Sequence, residues 1–199
     1  MIKAIIFDLG GVLLQDPSAD MIRYYTNRLQ VNREPFVEAL NKLRDAWHKG
    51  HITERRAWEQ LTTDLKISSV PEESLWLKGW LHGYKENPGM FALVKQLKQQ
   101  GYMIALLSNT EPPIMNYLKQ KPFEDIDLYL CSCEVGAIKP EQAIYETMLQ
   151  RLGVQPQEAV FIDDLAENVE GAMRLGIPSI LFCGSEDLKK QFRRLGINL

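Results

Sequence analysis

The chain has 199 residues, of which 45% are hydrophobic and 25% are charged, and these proportions are typical of a globular protein. Its 23 basic and 26 acidic side chains leave a net charge of -3, so it has no broad basic field for nucleic acid or an anionic membrane. No apolar run is long enough to span a membrane, and the first one meets Asp8 too early for a signal peptide. We expect a soluble, cytoplasmic protein with no nucleic-acid or membrane partner.

Short apolar runs that end at polar or small residues predict buried strands, because they are too brief for helices. In chain order they cover residues 2–7, 103–107, 128–131, 159–162 and 179–182. Amphipathic patterns between them predict helices, most of them closed by a glycine, over residues 90–100, 114–119, 141–152 and 169–175. This alternation predicts an α/β fold with a parallel sheet that is covered on both faces.

Residues 20–84 interrupt the alternation, since they show several helical patterns, contain all four tryptophans and offer no convincing strand. Proline-containing segments at 16–18 and 86–89 bracket this stretch and are typical of turns or hinges. We therefore predict a doubly wound, mostly parallel, Rossmann-like core of residues 1–15 and 87–199. An α-helical domain of residues 16–86 is expected as an insertion after the first strand.

Cysteine and histidine patterns do not favour a metal or redox site. Cys131, Cys133 and Cys183 lack the paired Cys-x-x-Cys spacing of such sites, which favours buried thiols. His48 and His51 lie near a predicted helix end without supporting acids, and we interpret them as packing or solvent-facing residues.

Polar residues follow the predicted strands, and open α/β sheets bind ligands beyond the carboxyl ends of their strands. A lysine before a proline, at the start of a predicted helix, adds a positive charge. These candidate site residues are Asp8, Ser108, Asn109, Lys139, Asp163 and Asp164.

The three carboxylates of Asp8, Asp163 and Asp164 would repel one another unless a hard cation lay between them, and such oxygen ligands suit Mg²⁺. One oxygen of Asp8 would remain free as a nucleophile. The Ser108 hydroxyl and the Lys139 ammonium could bind and neutralise phosphoryl oxygens. Together these groups indicate phosphoryl transfer, although each alone could be a strand end, a helix cap, a turn or a surface charge.

Four segments carry a resemblance to the haloacid dehalogenase superfamily, whose members are mostly Mg²⁺-dependent phosphatases. They are residues 7–13 (FDLGGVL), 107–109 (LSN), 139–140 (KP) and 161–164 (FIDD), and Asn168 follows the last of them. The resemblance covers the whole chain. It implies that residues 16–86 form the family's small helical cap, which covers the site and selects the substrate.

The resemblance also implies roles for individual residues. The catalytic residues are then Asp8, which becomes an aspartyl phosphate, with Ser108 and Lys139. Ser108, Asn109 and Lys139 bind the phosphoryl group. Metal ligands come from Asp8, the Gly10 carbonyl and Asp164. Asp163 assists that site directly or through water.

Gly10 departs from the family pattern, because most of these phosphatases carry an Asp there that protonates the leaving oxygen. Such help is typically worth about 10²- to 10⁴-fold in rate, so substrates with good leaving groups would suffer least from its loss. Asp16 is the nearest acid in sequence that could replace it. A turn role before Pro17 is the better interpretation of Asp16.

Residues 49–53 (KGHIT), followed by Trp58, resemble a subgroup that contains bacterial sugar-phosphate phosphatases and the phosphatase domain of soluble epoxide hydrolases. The leading hypothesis is a Mg²⁺-dependent phosphatase for a small phosphorylated metabolite, such as a sugar phosphate. The alternatives are a catalytically weak phosphate-binding or regulatory protein and a 2-haloacid dehalogenase. Tryptophans of the insertion could stack on a sugar, but a core role is favoured. Composition does not decide the oligomeric state.

Overall fold

The computed structural model describes residues 1–69 and 74–199. Five short strands form one sheet in the order β3-β2-β1-β4-β5, and every neighbouring pair is parallel. The strands are β1 (Ala4–Phe7), β2 (Met103–Ser108), β3 (Leu128–Cys131), β4 (Ala159–Asp163) and β5 (Ser179–Leu181). The predicted fold class, a doubly wound parallel α/β sheet, is confirmed.

Helices connect the strands and cover both faces of the sheet. The described residues form α1 (Ser18–Leu29), α2 (Arg33–His48), α3 (Glu54–Asp64), α4 (Leu75–Gly83), α5 (Met90–Gln99), α6 (Pro112–Gln120), α7 (Ser132–Val135), α8 (Gln142–Leu152), α9 (Ala166–Arg174) and α10 (Ser185–Arg194). Lys139 was expected at the start of a helix opened by Pro140, but α8 begins two residues after that proline.

The strands are apolar throughout because alternate residues point into two different hydrophobic cores. Ile5 and Phe7 point to a core that includes α5 and α10, whereas Ala4 and Ile6 point to a second core that includes α8 and α9. Because both faces of the sheet are buried, no polar alternation develops along β1.

Helices α1 to α4, here called the helical unit, follow β1 and precede α5. An aromatic cluster forms their interior: Tyr25 stacks on Trp76 with ring centroids 4.7 Å apart, and its hydroxyl donates to the Trp76 carbonyl over 2.7 Å. A Cβ on Gly79 would lie 2.2 Å from Tyr25 Cε1, so α1 and α4 approach closely only because residue 79 is glycine. All four tryptophans are at most 3% exposed, which confirms the core interpretation.

Among the described residues, no helix combines the length and apolar character that crossing a membrane requires. All three cysteines are free thiols. Cys131 is buried and Cys133 is half-buried, but Cys183 is exposed. The expectation of buried thiols is therefore wrong for Cys183, which lies just beyond β5 where the chain reaches the surface.

Candidate active site

Asp8 follows β1 at the carboxyl end of the sheet. The register pairs Phe7 with Leu106 of β2 and with Ile162 of β4, so the residues after these positions meet at one edge. The Asp8 amide donates to the Ile162 carbonyl over 2.9 Å, which continues the strand pairing to the carboxylate itself. Asp8 is buried, like Ser108 and Asp163 beside it.

Lys139 lies between two of the three carboxylates. Its Nζ donates to Asp8 Oδ1 and to Asp163 Oδ2, each over 2.6 Å. The residue is only 4% exposed, so it is not the surface charge that its sequence context alone would allow. Burial lowers the pKa of the Lys139 ammonium, but Asp8 and Asp163 more than offset that effect and leave the pKa above its ordinary value. The ammonium is therefore a fixed positive charge beside Asp8.

Asn109 positions the backbone of that lysine. Its Oδ1 accepts from the Lys139 amide over 2.8 Å, and its Nδ2 donates to the Lys139 carbonyl over 2.9 Å. The predicted phosphate ligand thus has its side chain committed to the lysine loop. The sequence did not indicate that the Asn109 side chain would bind the Lys139 backbone.

The loop after β2 is tied to α7. Ser108 Oγ donates to Thr110 Oγ1 over 3.2 Å, and the Thr110 amide donates to Ser132 Oγ over 2.9 Å. The Ser132 hydroxyl donates in turn to the carbonyl of His48, at the end of α2, over 2.6 Å. One buried serine therefore links the loop that carries Ser108 to the helical unit.

The two acids after β4 have different environments. Asp163 is fully buried, and its Oδ1 accepts from the Leu165 amide over 2.9 Å and from Asn168 Nδ2 over 3.0 Å, while Oδ2 accepts from Lys139. Asp164 is half-buried and binds no other side chain in the described part of the molecule. Carboxylate oxygens of Asp8, Asp163 and Asp164 all lie within 4.8 Å of one another. Both Asp163 oxygens therefore already accept hydrogen bonds, whereas Asp164 has no side-chain partner among the described residues.

Crowding changes the acidity of this cluster. Burial, with Asp163 nearby, raises the pKa of Asp8 to about 6 although Lys139 opposes the shift. Burial and the neighbouring Asp163 carboxylate also raise the pKa of Asp164. Both shifts mean that the negative forms are disfavoured until a cation compensates them. The donor set, with three carboxylates and no nitrogen or sulfur, fits Mg²⁺.

A cavity of about 550 Å³ opens above the cluster. The sheet side contributes Asp8, Ser108, Lys139 and Asp164, and the helical unit forms the opposite wall. Apolar and charged side chains of that wall include Met21, Tyr25, Arg44, Asp45, His48 and Trp80. The helical unit therefore faces the carboxylates across this cavity.

The family model for haloacid dehalogenase-like hydrolases matches residues 2–176. The chain belongs to this family.

Relatives of this hydrolase carry several names. The mouse acyl-CoA dehydrogenase family member 10 is 31% identical over 97% of this chain, which spans 19% of that protein. A sesquiterpene phosphatase of Aspergillus oryzae is 26% identical over 97% of this chain and 96% of its own. The flavin mononucleotide hydrolase 1 of Arabidopsis thaliana is 32% identical over 59% of this chain, which covers 48% of its length. The chain thus spans less than half the length of the mouse and Arabidopsis relatives.

The solved structures include a family enzyme of Bacteroides thetaiotaomicron in complex with magnesium and inorganic phosphate. It is 25% identical, with a TM-score of 0.80, and the match covers 97% of this chain and 100% of the other. The predicted superfamily membership of this hydrolase is confirmed.

The two glycines after Asp8 differ in what they require. Gly11 has a φ of +86°, and a Cβ there would lie 2.2 Å from Asp164 Oδ2, so only glycine lets the chain pass this carboxylate. Of the atoms in residues 1–69 and 74–199, a Cβ on Gly10 would meet only Pro17 Cδ, at 3.7 Å, and the φ of Gly10 is not in the left-handed region. The absence of a side chain at position 10 is therefore not imposed by the space around it.

Asp16 lies at the rim of the cavity and is exposed. Its Oδ1 accepts from both the amide and the hydroxyl of Ser18, over 2.9 and 2.6 Å, at the start of α1. This geometry is that of a turn residue at a helix N-terminus, in agreement with the interpretation favoured by the sequence.

Proposed function

We propose that this hydrolase is a Mg²⁺-dependent phosphatase that transfers the phosphoryl group of a small phosphorylated metabolite to Asp8 and then to water. The observation that carries this proposal is the Lys139 ammonium, which lies 2.6 Å from both Asp8 and Asp163, next to Asp164, a carboxylate without a side-chain partner in the described ranges. A buried anion-binding cation next to free carboxylate oxygens suits a phosphate ester and a divalent metal together. The similar Bacteroides enzyme, which binds magnesium and phosphate, supports the proposal.

The side chains divide the work. Asp8 Oδ1 is held by Lys139, which leaves Oδ2 to attack phosphorus and form the aspartyl phosphate. The Ser108 hydroxyl and the Lys139 ammonium bind the equatorial oxygens and stabilise their charge. Asp8, Asp164 and the Gly10 carbonyl would hold Mg²⁺, which neutralises charge on the phosphoryl group when bound. Asp163 and Asn109 position Lys139.

Residues 16–86 act in this proposal as the cap, because the helical unit forms the wall opposite Asp8 and its closure would exclude water. Sugar phosphates remain the first substrates to test. Arg44 and Asp45 on the cavity wall can bind hydroxyl groups. Three free thiols suit the reducing cytoplasm proposed as its location.

Phosphate release from a panel of phosphorylated metabolites, with Mg²⁺ and with EDTA, tests the function. We expect metal-dependent release from at least one sugar or other small monophosphate. Binding of inorganic phosphate without release from any ester would favour the second candidate, a phosphate-binding protein, which Gly10 makes worth testing. Halide release from 2-haloacids without phosphate release would favour a dehalogenase.

Asp164→Ala is expected to raise the Mg²⁺ concentration for half-maximal activity by at least about tenfold, because it removes an oxygen ligand without touching Lys139. Titrating activity with Mg²⁺ measures this shift. Glu167→Gln is the matched control, since Glu167 is an exposed carboxylate of the same cavity. An unchanged titration for the Asp164 variant would remove that residue from the metal site.

Mg²⁺ should raise the melting temperature more at about pH 7.5 than at about pH 5. The pKa of Asp8 in the metal-free fold is raised to about 6 from an ordinary 3.8, so stability from its protonated form is present at low pH and lost as pH rises through about 6. Above that pH, Mg²⁺ would compensate the carboxylate charge in place of the proton. At a free Mg²⁺ concentration of a hundred times Kd, binding would add about 2.7 kcal/mol to the free energy of unfolding. Thermal melts at both pH values, with and without Mg²⁺, check this; equal increments would contradict it.

A further inference from the structure

Glu111 is a buried carboxylate that the phosphoryl chemistry does not use. It lies three residues after Ser108, directly before α6, and is 8% exposed. Its Oε1 lies 3.0 Å from Nε2 of His48, the last residue of α2. Burial favours the neutral form of Glu111, but His48 and local hydrogen bonds together more than offset this and hold the pKa of that carboxyl below its ordinary value. Glu111 is therefore an anion, and its Oε1 accepts a hydrogen bond from the Nε2–H group of His48.

The His48–Glu111 pair joins the helical unit to the phosphate-binding loop, and both residues line the cavity above Asp8. Ser132 fixes the backbone of the same histidine, as its hydroxyl bonds the His48 carbonyl over 2.6 Å. The imidazole is thus held at its backbone and at Nε2. Its Nδ1 makes no hydrogen bond to the described residues and is left for a ligand.

An alkyl leaving group must take up a proton as its bond to phosphorus breaks, because an alkoxide is a poor leaving group. At the phosphoryl end, Asp8 is the nucleophile, Lys139 is shared between two carboxylates, and Gly10 has no side chain. Asp164, which is half-buried, belongs to the proposed metal site. Apart from Glu111, the other carboxylates that line the cavity are exposed to solvent; they are Asp16, Asp45 and Glu167. Within the described residues of the cavity wall, half-buried His48 and buried Glu111 form an acid–base pair that the phosphoryl chemistry does not use.

We propose that His48 is the general acid and base of this hydrolase and that Glu111 is its positioning residue. The inference rests on the proposed phosphatase function. In its protonated form, His48 gives the Nδ1 proton to the leaving oxygen while the bond from Asp8 to phosphorus forms and the ester bond breaks. The neutral ring then takes a proton from the water that attacks phosphorus. The bond from phosphorus to Asp8 breaks, phosphate leaves, and the imidazolium is restored.

Glu111 accepts a hydrogen bond from the Nε2–H group throughout both steps. It keeps Nδ1 directed away from the loop and stabilises the positive ring. A cap residue fits this task because the leaving group lies on the side of phosphorus opposite Asp8, and that side faces the helical unit.

The test is the dependence of the first-turnover rate of alcohol or phenol release on leaving-group pKa, for a series of aryl and alkyl phosphates with Mg²⁺. Wild type is expected to show a shallow slope. His48→Gln should slow alkyl phosphates by about 10²-fold or more and leave 4-nitrophenyl phosphate near wild type, so its slope becomes steep. Glu111→Gln should steepen the slope less, because the amide oxygen still accepts from Nε2.

His51→Gln is the matched control, since His51 is exposed and lies outside the cavity lining. Its slope should equal that of wild type. Melting temperatures show which variants are folded, and Glu111→Gln carries the test if His48→Gln does not fold. A steep wild-type slope, or parallel slopes for wild type and the folded variants, would overturn the inference while the phosphatase stands. Absence of phosphate release from every ester by wild type would instead overturn the proposed function.

Discussion

Replacing Asp8 with Asn is expected to lower phosphate release by at least about 10³-fold, because an amide cannot form the acyl phosphate. The fold should be retained. Asn is nearly the same size, and its oxygen can still accept from Lys139 Nζ, which lies 2.6 Å from Asp8 Oδ1. Since burial already disfavours the Asp8 carboxylate, the metal-free variant should melt no lower than wild type at neutral pH.

Phosphate release and thermal melts on the same preparations measure both halves of this expectation. Asp64→Asn, an exposed carboxylate on α3, controls for loss of a negative charge elsewhere. Activity of the Asp8 variant near the wild-type level would show that another group attacks phosphorus. A lower melting temperature with lost activity would show that Asp8 has a structural role that its contacts do not explain.

The strands and the site residues that follow them could be predicted because parallel sheets leave two signals in a sequence. Buried strands are short apolar runs, and their carboxyl ends meet at one edge, so Asp8, Ser108 and Asp163 were expected together. Helix α10 was not predicted, since only Leu188 and Phe192 are buried in a segment that is otherwise polar or charged. A narrow apolar stripe of two residues is too weak a periodic signal.

Contacts between distant loops left no such signal. His48 and Glu111 are 63 positions apart, and neither belongs to a motif with fixed spacing. The resemblance implies phosphate binding by Asn109, which stays a prediction, but nothing in the sequence indicates that its side chain binds the Lys139 backbone 30 residues away. These contacts depend on how segments far apart in sequence pack together at the carboxyl ends of the strands, and only the folded chain shows that packing.

The burial of Lys139 leads to the second large effect. Lys139→Met removes the cation that contacts both Asp8 and Asp163 and leaves two buried carboxylates 2.6 Å from where Nζ was. Breaking such a buried network typically costs about 3–5 kcal/mol. Loss of the ammonium also removes charge stabilisation from the phosphoryl group, which is typically worth about 10²- to 10³-fold in kcat.

The stability loss of Lys139→Met should depend on pH in a defined direction. Without Lys139, the pKa of Asp8 rises further above its ordinary value, so the folded variant is favoured at low pH, where Asp8 is protonated, and loses stability as pH rises through that pKa. Urea unfolding at about pH 5 and about pH 8, beside Lys42→Met as an exposed control, measures the difference. A pH-independent loss would mean that packing of the lysine stem, and not its charge between two carboxylates, stabilises this end of the sheet.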